Sequence, residues 1–528
     1  MIRLTGDAPP GQPAGPPRFL DVLAARFDLA ELADDVRAVV DRLVETGFVP
    51  RLADQDHTVF GQDPTEVENR LGWLDVPWRS KEQWPALVAD SNAVSAGTTD
   101  VVVMGMGGSS LFPEVLRGCF APQAGRPRLH VIDTTHPDAV ARIAAACPPS
   151  TTFHLAASKS GSTVETRSHL AFFWSRHPDP SRFGVVTDPG SALGAQARSL
   201  GFARVWENDP NIGGRFSALS LFGLVPAALL GLNGTTLLDG ALDMADALEP
   251  TDDDADHLGL LLGATMAVAA RAGRDKLTFI IAPEISAFGV WVEQLIAEST
   301  GKHGEGVVPV VDEVVGVAEG SPADRLVVVI GDARTSIDAP MVRIPVEDPL
   351  DLGALVYLFE YATAVCGAVL GVNPFDQPDV EAAKIAARAA LSGVAPAAVD
   401  VTSATEAVAD IPAGTHVAIG AFVDPGGPDV ERLVSIRERL GRRFGVATSL
   451  GIGPRFLHST GQLHKGGPAA IRAIQLVGAI ATDLAVPGED FTFGRLLHAQ
   501  ADGDLASLRS AGRAAFRVEL DDLDAALD

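Results

Sequence analysis

Residues 155–166, LAASKSGSTVET, place five hydroxyl side chains around one lysine. The hydroxyls belong to Ser158, Ser160, Ser162, Thr163 and Thr166, and the lysine is Lys159. An apolar run precedes this segment and a helical pattern follows it, so we expect free backbone amides at a helix start. Hydroxyls, free amides and an ammonium together suit a phosphate monoester. The alternative is a capping loop in which Glu165 pairs back to the helix start, although capping needs one hydroxyl and not five.

A second candidate is the glycine-rich run VVVMGMGGSSLFPEVL at residues 101–116. A predicted strand runs into Gly105, Gly107 and Gly108 and then into a helix start, an arrangement that lets the backbone come close to a ligand. Ser110 stands where a dinucleotide-binding turn has glycine, so the run favours binding of sugar or phosphate hydroxyls. A tight turn with N-capping serines is the alternative.

Lysine is rare in this chain, which has six lysines within a Lys+Arg total of 41. Four of the six lie in motif-like runs, which are SKSGS, STGKHGEG, FDQPDVEAAK and GQLHKGG. An ammonium is compact and mobile whereas a guanidinium is planar. Lysines that occur against this arginine-rich background are therefore candidates for contacts that arginine cannot make.

These motifs lie in a chain that alternates short β-branched runs with helical segments. From Asp100 the strand-like runs are VVVMG, LHVID, FHLAAS, FGVVTD and ARVWEND, followed after an acidic segment by LTFIIAP, VVPVV, RLVVVIGD and VRIPVED. The alternation predicts an α/β fold with parallel sheets wrapped by helices. We expect a tail and helical prelude at 1–95, two tandem αβα sandwich units at 96–250 and 251–394, and an extra C-terminal α/β region at 395–528. Two strands, THVAIGAF and FGVATSL, are expected in that last region.

Composition excludes several classes of protein. Lys+Arg of 41 against Asp+Glu of 68 leaves a net charge of −27, so neither nucleic acids nor membrane surfaces are expected partners. Three cysteines are too few for a disulfide framework and predict a reducing, cytoplasmic location. We expect no signal peptide, and the apolar stretches 219–238 and 354–372 are interrupted as in buried helices. No cluster of His, Cys and Asp has metal-ligand spacing, so no metal is expected.

Five runs resemble the signature segments of the glucose-6-phosphate isomerase family, which belongs to the sugar isomerase (SIS) group of double αβ sandwich proteins. In order from Gly105 to Lys384, they are GMGGSS, SKSGSTVET, GGRFSALS, EQLIAESTGK and GVNPFDQPDVEAAK. The resemblance implies two SIS-type units and reversible isomerisation of D-glucose 6-phosphate to D-fructose 6-phosphate through an enediol. It also implies a hexose 6-phosphate as the binding partner, no cofactor, and a homodimer.

The resemblance implies a role for individual residues. Substrate phosphate would bind at Ser158, Lys159, Ser160 and Thr163, with Gly108 and Ser109 from the glycine-rich turn. The proton-shuttling carboxylate would be Glu298, with Gln294 one helical turn earlier, and the arginine beside the enediolate would be Arg215. The C-terminal glutamine and lysine of the family match Gln377 and Lys384.

The surroundings of these residues in the sequence agree with such roles. Glu298 lies in an apolar helical run, where a raised pKa would suit a base that takes and returns a carbon-bound proton, and Gln294 shares its face. Arg215 follows two glycines, and its fixed charge could stabilise an enediolate. The alternatives are a solvated helix residue for Glu298 and a helix-start arginine bound to a neighbouring carboxylate for Arg215.

One family feature is displaced in this chain. The ring-opening histidine of the family lies between the glutamate and the C-terminal lysine, but residues 303–384 contain only His303. A run that resembles its segment, GPRFLHSTGQLHKGG, comes later at 453–467. The role is therefore carried to His458, with His464 as the fallback, and a turn histidine is the alternative. The neighbouring subunit supplies this histidine in the family, so action within one chain or between chains remains open.

Two other functions remain open from the sequence. A dual glucose/mannose 6-phosphate isomerase would use the same scaffold and differ by a few hydroxyls near C2. A non-catalytic regulator that binds sugar phosphates would keep the hydroxyl loop, but it has no need of Glu298, Arg215 and His458 together. The joint presence of these three residues favours the enzyme.

Overall fold

The computed structural model describes residues 25–251, 254–313, 322–379 and 401–528. Lys384, the C-terminal lysine implied by the resemblance, lies outside the described residues. The described chain begins with a short strand, β1 (Arg26–Asp28), and three helices: α1 (Ala33–Glu45), α2 (Phe48–Ala53) and α3 (Val76–Ser95). The sequence predicted a tail and helical prelude at 1–95, and β1 was missed because it forms by antiparallel pairing with a distant strand.

The first sheet is entirely parallel and has the order β3-β2-β4-β5-β6. Its strands are β2 (Asp100–Met104), β3 (Arg128–Ile132), β4 (Thr152–Ala157), β5 (Phe183–Thr187) and β6 (Arg204–Glu207). The helices between them are α4 (Leu111–Cys119), α5 (Pro137–Ala146), α6 (Val164–Arg176) and α7 (Ala192–Leu200). The central strands are buried throughout, as expected for a parallel sheet covered on both faces.

A layer of apolar helices leads to the second sheet. These helices are α8 (Leu221–Leu229), α9 (Gly234–Ala247) and α10 (Leu258–Arg271). The sheet contains β7 (Lys276–Ile281), β8 (Val308–Val310), β9 (Arg325–Ile330) and β10 (Met341–Ile344), with helices α11 (Phe288–Thr300) and α12 (Leu352–Leu370). Its order is β1-β10-β9-β7-β8, so the N-terminal strand closes one edge. The two expected αβα units are both present.

The C-terminal region builds a third parallel sheet of order β12-β11-β13-β14. Its elements in chain order are α13 (Ala404–Ala407), β11 (His416–Phe422), α14 (Asp429–Phe444), β12 (Ala447–Ile452), α15 (Gly461–Gly466), β13 (Ile471–Val477), α16 (Phe493–Ser510), β14 (Ala514–Arg517) and α17 (Leu520–Ala526). The sequence predicted β11 and β12 but missed β13 and β14. Both missed strands are partly buried and pair in parallel.

Residues 401–528, which build the third sheet and are called the third sheet's region below, pack against the first unit near the ends of β3 and α5. Arg142 pairs with Asp424, with one Nη2 to Oδ1 distance of 2.7 Å, and Thr135 Oγ1 donates to Gln500 Oε1 at 2.8 Å. Arg455 Nε donates to Asp133 Oδ2 at 2.7 Å. These contacts bring the loop after β12 to the carboxyl edge of the first sheet.

One described helical stretch, Pro349–Leu370, is long and apolar enough to cross a membrane by length and composition alone. Of the apolar 18-residue segment within this stretch, 89% is buried inside the protein. It includes α12, which packs between α9, α10 and α11 as a core helix. This burial agrees with the prediction of a buried helix at 354–372.

Candidate active site

A cleft of about 690 Å³ opens where the first unit, the second unit and the third sheet's region meet. Most of the residues proposed from the sequence line it: Gly108, Ser109, Lys159, Ser160, Thr163, Arg215, Gln294, Glu298, Gln377 and His458. Ser158 does not line the cleft. Six segments that are far apart in the sequence therefore converge on one cavity, as expected at the carboxyl ends of parallel strands.

The glycine-rich turn after β2 brings other loops together. A Cβ atom at Gly108 would lie 1.8 Å from the Gly214 carbonyl oxygen. Gly107 has a φ of +54°, and a Cβ atom there would lie 2.7 Å from the His458 carbonyl oxygen. The sequence predicted that this backbone approaches a ligand. In the structure the two glycines are required because the Arg215 loop and the His458 loop pack directly on the turn.

The hydroxyl-rich loop connects β4 to α6. Ser158 is buried, and its Oγ lies 3.0 Å from Thr163 Oγ1 and accepts from the Gly161 amide at 3.1 Å. Ser158 thus holds the loop in shape. Ser160 and Ser162 are exposed, line the cleft and lie 2.8 Å apart through their Oγ atoms. The Thr163 hydroxyl makes no capping bond to α6, so the capping alternative fails at this residue.

Lys159 lies beside this loop but is anchored. Its ammonium pairs with Asp188 and donates to the Pro210 carbonyl at 2.7 Å. Burial raises the pKa of Asp188, and the contact with Lys159 opposes that effect only in part. The ammonium therefore contributes positive charge to the wall of the cleft from a restrained position.

Glu298 lies on α11 near the base of the cleft. Its Oε2 is 3.2 Å from Arg215 Nη1 and accepts from Gln294 Nε2 at 3.1 Å. All three residues are at most 5% exposed. The sequence predicted an apolar helical run around the carboxylate, with Gln294 on the same face. The structure adds an arginine, so that Arg215 and Gln294 together fix the direction of the carboxylate.

Arg215 is held by several acceptors besides Glu298. Its guanidinium donates to Ser299 Oγ at 3.0 Å, to the Pro374 carbonyl at 3.0 Å and to the Asp376 carbonyl at 2.7 Å. A planar guanidinium suits such a fan of acceptors. Arg215 thereby joins α11 to the segment that leads into Gln377, whose side chain is exposed on the cleft.

The segment that leads into Gln377 is also bound by Lys302. This side chain is fully buried, lies 2.8 Å from Asp376 Oδ1 and donates to the Asn373 carbonyl. Burial lowers the pKa of Lys302 to about 7, and the nearby Arg215 charge acts in the same direction. Sequence reasoning gave Lys302 no role, although its place in the run STGKHGEG was a signal.

His458 approaches the cleft on a short 3-10 helix, Arg455–His458. Its Nε2 lies 2.9 Å from Glu165 Oε1, and its carbonyl accepts from Gln294 Nε2 at 2.7 Å. Glu165 is buried on α6 and also accepts from Gln500 Nε2 at 2.6 Å. Burial would raise the pKa of Glu165, but the charge and hydrogen bond of His458 outweigh it and hold the pKa below its usual value.

The two candidate histidines of the sequence occupy different places in the structure. His458 reaches the cleft within a single chain, whereas the fallback, His464, is buried on α15 and does not line the cleft. Burial lowers the pKa of His464 to about 3, so it stays neutral at ordinary pH. Glu165 was missed as a site residue because the sequence offered a capping role for it, and Gln500 gave no sequence signal.

Among the described residues, Asp100, His130 and Cys147 have ligand atoms within 4.8 Å of one another, as a metal site requires. The Asp100 carboxylate already accepts from Arg128 Nε at 3.0 Å and from Thr99 Oγ1 at 2.8 Å, and it lies 2.9 Å from His130 Nε2. Asp100 also begins β2, at the end of the strand opposite the cleft. These contacts account for the proximity of Asp100 and His130.

Comparison with known proteins bears on the same regions. The sequence model of the family described as phosphoglucose isomerase matches residues 91–316. This range includes the hydroxyl loop, Arg215 and Glu298, but neither Gln377 nor His458. A crystal structure of a hypothetical protein from Thermus thermophilus superposes with a TM-score of 0.59 and 25% identity, covering 70% of this chain and 100% of that one. A glucose-6-phosphate isomerase from Chlamydia trachomatis shares the fold with a TM-score of 0.58 at 18% identity, covering 69% of this chain and 86% of that one.

Curated relatives carry the same family name. A glucose-6-phosphate isomerase from a Cyanothece strain is 29% identical over 351 residues, covering 56% of this chain and 66% of the relative. A glucose-6-phosphate isomerase from Rubrobacter xylanophilus is 31% identical over 387 residues, covering 61% of this chain and 89% of the relative. With nearly the whole of that relative matched at this identity, the chain belongs to the phosphoglucose isomerase family.

Proposed function

We propose that this protein catalyses the reversible isomerisation of D-glucose 6-phosphate and D-fructose 6-phosphate. The observation that carries the proposal is the buried Glu298 carboxylate, held by Arg215 and Gln294 in a cleft that also receives the hydroxyl loop and His458. Family membership supports the same activity. The hexose 6-phosphate is the substrate, and the reaction changes no net redox state.

Phosphate binds at the hydroxyl loop. Ser160 and Thr163 donate hydroxyl hydrogen bonds, Lys159 adds its charge, and Gly108 and Ser109 form the facing turn. The rest of the protein carries a large negative charge, so a dianion needs this local set of donors. Ser158 acts through the shape of the loop, because it is buried behind Thr163.

Ring opening is the task of His458. His458 donates a proton to the ring oxygen, the bond between this oxygen and the anomeric carbon breaks, and the anomeric hydroxyl gives its proton to water as the carbonyl forms. Glu165 holds the imidazole in position through the 2.9 Å contact. Gln500 in turn fixes the Glu165 carboxylate. The sequence also implied Lys384 in this step, and that role remains a proposal.

Proton transfer is the task of Glu298. The carboxylate removes the proton from C2 of the open-chain aldose and returns it to C1, while the electron pair passes through a cis-enediolate. The hydroxyl proton moves from O2 to O1, so that the carbonyl forms at C2. Arg215 stabilises the negative charge that develops on the enediolate oxygens, since its own proton is not transferred. The Gln294 Oε1 atom is buried and has no partner among the described residues, which leaves it free to accept from a substrate hydroxyl.

The assay that tests this function measures turnover of fructose 6-phosphate and mannose 6-phosphate in parallel, each coupled to detection of glucose 6-phosphate. The proposal expects turnover of fructose 6-phosphate. Turnover of mannose 6-phosphate as well would select the dual isomerase, and binding without turnover would select the regulator. A homodimer and a cytoplasmic location, both expected from the sequence, belong to this proposal as well.

A further inference from the structure

The proposed mechanism leaves one lysine of the cleft without a role. Lys465 belongs to the run GQLHKGG and lies on α15, seven residues after His458. It is only 4% exposed, yet it lines the cleft on the wall that also carries Leu496 and Gln500. The ammonium thus belongs to the same region of the cavity as the ring-opening residues.

The Lys465 ammonium is held by two acceptors. Nζ donates to Asp504 Oδ1 at 2.7 Å and to the Gly461 carbonyl at 3.3 Å. An ammonium has three N–H donors, so one remains beyond these two contacts. Asp504 is itself only 2% exposed, and its other oxygen accepts from Gln475 Nε2 at 3.2 Å. The lysine side chain is therefore held in place, and its third N–H group remains available to donate a hydrogen bond.

The backbone of Lys465 is fixed as well. Arg513 donates to the Lys465 carbonyl from Nε at 3.0 Å and from Nη2 at 2.7 Å, and its Nη1 donates to the Pro468 carbonyl at 2.6 Å. Burying an ion pair between two helices costs desolvation free energy, and apolar side chains of similar volume would stabilise the same packing as well or better. A buried charge at this position is explained if it also contacts a ligand in the cavity.

The distribution of charge around the cleft indicates what that contact is. Lys159 lies at the hydroxyl loop and Arg215 lies on Glu298, so both cations face the phosphate or the enediolate. Lys465 lies on another wall, close to Gln500, which binds Glu165. A sugar bound with its phosphate at the hydroxyl loop would present its ring oxygen and hydroxyls to this wall.

We propose that Lys465 is a further substrate-binding residue, whose remaining N–H donates to an oxygen of the hexose on the ring-opening side of the cleft. The inference rests on the proposed function. It predicts that Lys465 contributes to binding of the sugar and not to binding of the phosphate group.

The test replaces the ion pair by an apolar pair of similar volume, Lys465→Met with Asp504→Leu, so that no buried charge is left unpaired. We expect kcat/KM for fructose 6-phosphate to fall about 10- to 100-fold, the loss of one charged hydrogen bond to substrate. The inhibition constant of inorganic phosphate should change by less than about twofold, because phosphate binds at the other wall. Lys81→Met, on the exposed pair with Asp239, is the matched control and should change neither constant.

A purely structural role predicts other results. If the apolar pair retains the kcat/KM of the unmodified protein, or if phosphate inhibition weakens by the same factor as sugar turnover, the proposal is wrong. Should the apolar pair unfold, the polar pair Lys465→Gln with Asp504→Asn decides by the same two constants. Failure of the proposed function itself would be distinguishable, since the unmodified protein would then not turn over fructose 6-phosphate at all.

Discussion

His458 Nε2 and Glu165 Oε1 lie 2.9 Å apart, so an imidazole from the third sheet's region meets a carboxylate from the first unit within one chain. The two residues are 293 positions apart in the sequence. Arg455, three residues before His458, binds Asp133 at the end of β3 and fixes the same segment. The C-terminal region therefore completes the cleft.

Replacing His458 should separate ring opening from isomerisation. We expect His458→Ala to lower turnover of cyclic glucose 6-phosphate about 10²- to 10⁴-fold, as removal of a positioned acid does. Solvent deuterium exchange into 5-deoxyfructose 6-phosphate should remain within a few-fold, because this analogue has no C5 hydroxyl with which to close a ring. The control is His464→Ala, which should lower the melting temperature and leave the ratio of the two rates unchanged. Equal losses on both substrates would remove the ring-opening role from His458.

The site should also work within single chains. Glu298→Gln and His458→Ala, each nearly inactive, should remain inactive when the two proteins are mixed, unfolded and refolded together. A site shared between two chains would instead recover activity, up to about a quarter of normal in a dimer, because half the dimers would be mixed and each would hold one intact site. Recovered turnover in the coupled assay is the measurement, with singly refolded variants as controls.

Phosphate capture should depend on the exposed edge of the hydroxyl loop. We expect the double variant Ser160→Ala with Thr163→Ala to raise KM about 10- to 100-fold and to change kcat by less than about threefold. The reason is that both hydroxyls bind the phosphate with equal strength in the ground state and in the transition state. Ser199→Ala, on the surface of α7, is the matched control. Equal weakening of a sugar that lacks the phosphate would contradict this assignment.

The protein should lose stability as pH falls from about 6.5 to about 4. Burial lowers the pKa of His154 and His169 to about 4 and that of His464 to about 3, so the unfolded chain binds protons in this range that the folded chain does not. Each histidine should reduce the free energy of unfolding by up to about 1.4 kcal/mol per pH unit.

Urea denaturation at a series of pH values measures this slope. His154 stacks on Phe183 with ring centroids 4.7 Å apart, so His154→Phe keeps an aromatic ring at this position. The change in the free energy of unfolding with pH should become smaller in this variant, by the contribution of one bound proton. An unchanged slope in that variant would show that His154 takes up its proton equally in both states.

Strands β2, β4 and β5 were predictable because each forms a continuous buried run that is followed directly by Gly, Ser or Asp. β14, by contrast, is only four residues long, and it becomes a strand by pairing with β13. β1 likewise depends on the edge of β10, more than 300 residues away. Pairing between distant segments leaves little trace in the local pattern of either segment.

The site was predictable where a motif holds several chemical groups together, as in the hydroxyl loop and in the i, i+4 pair of Gln294 and Glu298. Glu165 was not predictable as a site residue, because its importance comes from His458, a partner brought by another element. The scarcity of lysine singled out the runs that hold Lys302 and Lys465. It did not predict their contacts with Asp376 and Asp504, which depend on packing between distant elements.

The most direct test of the central claim is the turnover of Glu298→Gln. The amide is nearly isosteric with the carboxylate but cannot take a proton from carbon, so we expect KM to stay within a few-fold and kcat for glucose 6-phosphate to fall about 10²- to 10⁴-fold. Deuterium exchange from solvent into the product should fall in parallel. Turnover within about threefold of the unmodified protein would contradict the assignment of Glu298 as the base, and with it the proposed mechanism.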